Sequence, residues 1–337
     1  MLSFRSAVCA VVLGVAVAGS VGCGGSGGGE VEPATEIGAT IPTEGTMRRF
    51  AIDPEAHALY VSDFEGLVWV IDTRTDQVTD KIEVGAGAQG LALDVESHTL
   101  YTADYQDNTI SVVDTVAKKR TGTIEVDDHP DFVVFEPATN TLFVTHFGEQ
   151  FVTVIDAVAK REKDVIDVRE FVEDVAFDPV GHRLYLTTYS NGLLTVVDTL
   201  TNKRNSLILC GGPPNGVAVA PSAQRAYCAN DDGSIAVVDT NTTQTVATIE
   251  VGETPFRMAI DPAAHALYLT KNDGKRKSSG GDGGPVVVID TDTNAVTTTL
   301  LVGDSPQTVV VDPVSHKVYV NVFLAGNVTV LKPGAAG

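Results

Sequence analysis

Three oxygen-bearing side chains, Asp131, Glu173 and Asn215, follow one another at intervals of 42 residues. In a repetitive chain that spacing puts one of them on each of three successive units. Oxygen ligands converging from three units could hold a hard divalent cation such as Ca²⁺. A cation held there would polarise an ester or lactone carbonyl, which is the chemistry of a hydrolase. The other units carry Arg48, Gln89, Phe256 and Gln307 at the same position, so a solvated polar channel mouth with no ion and no cofactor is the simpler expectation.

A second series is aromatic. Phe64, Tyr105, Phe147, Tyr189 and Phe323 occupy one loop position of five units, where Asp231 and Asn272 stand in the other two. Loops are normally polar, so aromatic rings around a rim offer a contact surface to a protein, a peptide or a glycan. Folded down between units, the same rings would be packing. Arg48 and Arg257 belong to the same face and complete the expected ligand-contacting set.

A third series, His57, His98, His182, His265 and His316, falls in one turn of five units. Ligating nitrogens must all come within about 2.0–2.1 Å of one ion, and equivalent turns on different units lie too far apart for that. These histidines are expected to shape turns. The chain lacks a Gly-x-Ser-x-Gly elbow, a Cys-x-x-Cys-His haem site and a phosphate loop, and Trp69 is its only tryptophan. A non-enzymatic binding role therefore leads, with a cation-dependent hydrolase as the alternative.

These series rest on an internal repeat. Ala51-Ile52-Asp53-Pro54, His57-Ala58-Leu59-Tyr60-Val61 and Val70-Ile71-Asp72-Thr73 recur along the chain, with aromatic anchors at Tyr60, Tyr101, Phe143, Tyr185, Tyr227, Tyr268 and Tyr319. Each unit reads as four short strands separated by turn residues, which predicts an all-β, seven-bladed β-propeller with four antiparallel strands per blade. Apolar runs such as Val286-Val287-Val288-Ile289 fit strands covered on both faces. The Asp ending the third strand of a blade (Asp72, Asp114, Asp156, Asp198, Asp239, Asp290) is expected to accept hydrogen bonds from turn backbone. The seventh unit stops short of a fourth strand. Gly38-Ala39-Thr40-Ile41 aligns with Val246-Ala247-Thr248-Ile249, so the N-terminal strand is expected to close the last blade. The blade 6 loop from Asn272 to Pro285 reads as an insertion.

Tyr60-Val61-Ser62-Asp63, Tyr227-Cys228-Ala229-Asn230 and Tyr268-Leu269-Thr270-Lys271 are degenerate copies of one tetrapeptide, and through them the chain resembles the YVTN-type propeller repeats of bacterial and archaeal surface and periplasmic proteins. The resemblance spans residues 38 to 332 and implies the fold more than an activity. The oxygen series resembles the cation site of calcium-dependent lactonase propellers, which have a different blade number.

The N-terminus carries Arg5, an apolar run from Ala7 to Ala18, and small residues before Cys23. Residues 1–22 read as an export signal resembling that of bacterial lipoproteins, with Ser20 where Leu is usual. Cys23 is the expected lipidation site, 23–33 a Gly-rich tether, and 34–334 the propeller. The lipid would be the only membrane contact. Gly24 is not the Asp that the Gram-negative rule associates with inner-membrane retention, so the expected place is the cell envelope, at the periplasmic face of the outer membrane or at the cell surface. The formal net charge of -21 disfavours nucleic acid, whose phosphates need clustered cations. Acids crowd the loops of blades 2 to 5 (Asp104, Asp107, Asp127, Asp128, Asp131, Glu170, Glu173, Asp174, Asp231, Asp232), whereas Arg257, Lys271, Lys275, Arg276 and Lys277 lie on blade 6. Such a division would orient a charged partner, and a monomer is expected.

Cys9 leaves with the signal, and export would put Cys210 and Cys228 in an oxidising compartment. The register places Cys210 at the end of an outer strand and Cys228 on the second strand of the next blade. That favours two separate buried thiols over a bridge.

Overall fold

The computed structural model describes residues 31–252, 255–271 and 284–334. Residues 1–22, read above as an export signal, Cys23 and Lys275 to Lys277 lie outside the described residues, as does most of the blade 6 insertion. No helix among the described residues is long and apolar enough to cross a membrane.

Seven four-stranded antiparallel sheets make up the molecule, and six of them take consecutive strands of the chain. Blade 1 runs from its innermost strand Met47–Asp53 through Ala58–Asp63 and Leu67–Asp72 to the outermost Gln77–Glu83. The first three are buried along nearly their whole length, while the outermost alternates between exposed and partly covered residues. That contrast is the signature of inner strands sandwiched between neighbouring blades and an outer strand facing water. Seven hydrophobic clusters follow, one at each junction between blades.

The turn between first and second strands explains the histidine series. His57, His98, Asn140, His182, Gln224, His265 and His316, one per blade, all have φ between 48° and 57°. This left-handed conformation is costly for most side chains, and residues able to bond locally are enriched in it. In six blades the carbonyl of that residue accepts the amide that follows the Asp ending the third strand, as in Thr73 N–H to His57 O at 2.9 Å. The Asp itself caps its own turn. Asp156 accepts from the amides of Val158 and Ala159, and Asp239 from those of Asn241 and Thr242.

These backbone bonds hold the carboxyls of Asp156, Asp239 and Asp290 below the usual carboxylate range, and the Arg74 guanidinium does the same for Asp72. A carboxylate whose pKa is depressed on folding stabilises the fold above its unfolded value near 3.9, and that contribution is lost as pH falls below it. His146 adds to the acid sensitivity. Its Nδ1–H donates to Asp128 O at 3.0 Å, Nε2 lies 2.9 Å from Thr153 Oγ1, and burial pushes its pKa down. A histidine held neutral in the fold but free to charge when unfolded costs stability as pH drops below about 6.5. We expect the thermal midpoint to fall between pH 7 and 5, and more steeply below 4, in scanning calorimetry. A midpoint flat over pH 7 to 5 would contradict the role given to His146.

The N-terminal strand Ala34–Pro42 pairs antiparallel with Asn327–Pro333 and supplies the outermost strand of blade 7, as the alignment predicts. Ile41 packs with Val328 and Val330 in the cluster that also holds Met47, Phe50 and Trp69 of blade 1. The amide of Ala34 donates to the buried Tyr268 hydroxyl at 2.6 Å, which ties the same strand to blade 6.

Candidate functional site at the channel mouth and loop face

The innermost strands begin at the mouth of the central channel, and their third residues turn inward. Arg49, Asp174 and Arg257 line a void of about 20 Å³ in its bore, room for about one water. The Arg49 guanidinium lies 3.8 Å above the Phe132 ring, with that of Arg257 5.8 Å from the same ring. Arg257 pairs with Asp174 at 3.4 Å and donates to the backbone carbonyls of Glu173, at 2.8 Å, and Asn215. Asp174 also accepts the Val217 amide at 3.0 Å. Gly216 permits the close approach of blades 5 and 6, since a Cβ there would collide with the Phe256 carbonyl.

Burial pushes the Arg49 guanidinium down to about 10, with Arg257 next as a cause, so it stays charged at neutral pH. Burial also raises the Asp174 carboxyl, against the pull of Arg257 and Arg49. The bore is therefore filled by a cation-rich plug of interlocked side chains.

The oxygen series lies beside this plug. Asp131 faces Arg49 at 3.7 Å, and the Asn215 side-chain amide donates to Asp231 at 3.2 Å. The backbone carbonyls of Glu173 and Asn215 are taken by Arg257. The structure thus brings guanidinium groups to the place where the spacing pointed to Ca²⁺. Among the described residues no group of three or more His, Cys, Asp or Glu is positioned for a metal.

The aromatic series divides. Phe64 and Phe323 are half-buried and hold the Arg48 guanidinium between them, 4.6 and 5.5 Å from their centroids. Tyr105 lies 6.1 Å from Phe64, 4.6 Å from His129 and 6.1 Å from Phe147, so the rings run as a chain across blades 7, 1, 2 and 3. Phe147 is 64% exposed and Tyr189 41%, and the Tyr189 hydroxyl donates to Asp231 at 2.8 Å. That carboxylate also raises the tyrosine's pKa. Packing therefore accounts for Phe64 and Phe323, whereas Phe147 and Tyr189 stand open to solvent. Phe171, 46% exposed in the crossover entering blade 4, joins the open rings and was not expected.

The charge division is also redrawn. Asp104 is fully buried, accepting from Thr102, Thr109 and Ser111, and burial raises its pKa. Asp174 and Arg257 belong to the plug, so Arg257 is a channel-wall residue and not a rim contact. Asp107, Asp127, Asp128, Glu149, Glu173, Asp231 and Asp232 are exposed in the loops and crossovers of blades 2 to 5, the same loop face that carries the three open rings of blades 3 and 4.

No family model and no curated protein matches the chain. Among solved structures it is similar to Kuenenia stuttgartiensis hydrazine synthase. The TM-score is 0.75 at 18% identity, over 86% of this chain and 96% of that one. Likeness at that identity establishes the propeller fold alone.

Proposed function

We propose that this propeller is a lipid-anchored interaction module of the cell envelope, related to the YVTN-repeat proteins, that grips a cationic segment of a partner protein or peptide with the loops of blades 2 to 5. The observation that carries this reading is the exposure of Phe147, Phe171 and Tyr189 among Asp127, Asp128, Glu149, Glu173 and Asp231. Apolar rings left in water favour a partner that covers them. Ring faces beside carboxylates favour Lys and Arg in particular, because both attract cations. A net charge of -21 would speed the encounter with a basic segment. The plugged bore leaves the loop face, and not the channel, for the partner to use. A cation-dependent hydrolase draws less on this geometry, since the Asp131 carboxylate faces Arg49 and the Asn215 side-chain amide faces Asp231.

Immobilised peptides of equal length and of positive, zero and negative net charge test the reading. Retention of the positive set alone is expected. Equal retention of all three sets would count against it.

A further inference from the structure

We infer that Cys210 and Cys228 form a disulfide that fastens blade 4 to blade 5. Both are buried and unbonded in the structure, as expected, but the register does not keep them apart: their sulfurs lie 2.6 Å from each other. Unbonded carbon atoms pack at about 3.5–4.0 Å and sulfur is larger, while bonded sulfurs are about 2.03–2.05 Å apart. The observed separation is far inside non-bonded contact. Both residues are buried, 1% and 0% exposed, with Leu194, Val196 and Ile208 of blade 4 and Val217, Val219 and Ala226 of blade 5 around them.

The repeat supplies a second and independent argument. Cys210 opens the crossover that follows the outermost strand of blade 4, where five other junctions have Val84, Val126, Val168, Val251 and Val302. Cys228 sits on the second strand of blade 5, where the other blades have Val61, Thr102, Val144, Leu186, Leu269 and Val320. These two positions meet across other junctions too. Val168 and Leu186 share one cluster, Val251 packs on the cluster of Leu269, and Val302 shares a cluster with Val320. At one junction alone, both members of a touching aliphatic pair are cysteine. Hydrogen bonds keep the two sides in register there: Cys210 N–H donates to Gly192 O at 3.0 Å, and Asn230 Nδ2 donates to Cys210 O at 2.8 Å.

The bond forms by thiol–disulfide exchange. Cys210 and Cys228 each give up a proton, one S–S bond forms between them, and the two electrons reduce the disulfide of a dithiol oxidant, which leaves as two thiols. The neighbouring Cys210 sulfur, and then burial, hold the Cys228 thiol well above its ordinary value. Exchange needs a thiolate, so the bond closes while blade 5 is assembling onto blade 4.

The full chain, exported and purified without reductant, is unfolded in guanidinium with iodoacetamide and its cysteine peptides are mapped. The expected result is one cross-linked peptide joining Cys210 to Cys228, with neither residue alkylated until reductant is added. Alkylation of both before reduction, or linkage of either to another cysteine, overturns the inference. A Cys210→Val/Cys228→Leu variant, which restores residues found at other junctions, should fold. Reduction should lower the thermal midpoint of the wild type by on the order of 5 °C and leave this variant unchanged. A wild-type midpoint equally indifferent to reduction, once mapping shows that the pair has been reduced, would overturn the fastening role. The test is independent of the loop-face reading.

Discussion

Asp174→Ala should destabilise the propeller by about 3–5 kcal/mol, because it leaves the Arg257 guanidinium buried without its counter-charge. Arg257 is 9% exposed, Asp174 is its partner at 3.4 Å, and Arg49 lies in the same bore. Among the described residues Asp174 is the one carboxylate that lines this void, and without it Asp131, 3.7 Å from Arg49, is left as counter-charge to two neighbouring guanidiniums. The Val217 amide would lose its acceptor as well. Urea denaturation measures the effect. The double variant Asp174→Leu/Arg257→Met should recover most of the loss, since removing both buried charges also removes the desolvation they require. A single variant within about 0.5 kcal/mol of wild type, the range of ordinary surface changes, would show that the plug contributes little.

Deleting residues 34–42 should have the larger effect. The strand Asn327–Pro333 would become the open edge of blade 7, and an unpaired apolar edge is a template for association between chains. The junction to blade 1 would lose Ile41, and the Tyr268 hydroxyl would lose the Ala34 amide. We expect soluble aggregates in size-exclusion chromatography and no cooperative thermal transition. A monomeric, cooperatively unfolding deletion variant would show that the ring closes without its borrowed strand. Tyr268→Phe is the mild counterpart and should cost about 1 kcal/mol, the usual worth of one hydrogen bond.

The ring, its closing strand and its turns could be read from the sequence because the repeat states each of them several times over. One His or Asp says little. The same residue type at one turn of five blades reports a backbone conformation, and φ near 50° at all seven turns supplies it. The spacing puts Arg48, Asp131, Glu173 and Asn215 at the channel mouth, where the innermost strands begin, and they stand second in those strands. The third residues, among which Arg49, Asp174 and Arg257 line the void, gave no such signal, because the repeat puts unlike residues there: Arg49, Gly90, Phe132, Asp174, Gly216, Arg257 and Thr308.

Phe171 escaped because its equivalents are Thr46, Gly87, His129 and Pro213, so that the position reads as a turn. The signal available was a single large aromatic among turn residues. The two cysteines looked distant because a strand end and a mid-strand residue were compared within one flat register. In the ring, the crossover from an outer strand returns toward the axis along the second strand of the next blade, and this brings Cys210 onto Cys228.

The loop-face account is tested most directly by titrating a fluorescent Lys- and Arg-containing peptide, taken from the retained positive set, into wild type and into a Phe147→Ala/Phe171→Ala/Tyr189→Ala variant. The account predicts saturable binding to wild type that weakens as salt is raised. It also predicts at least a tenfold loss in the triple variant, since exposed aromatic anchors covered by a partner are typically worth about 2 kcal/mol or more. Equal affinity for the two proteins would contradict it and move the partner's seat away from blades 3 and 4.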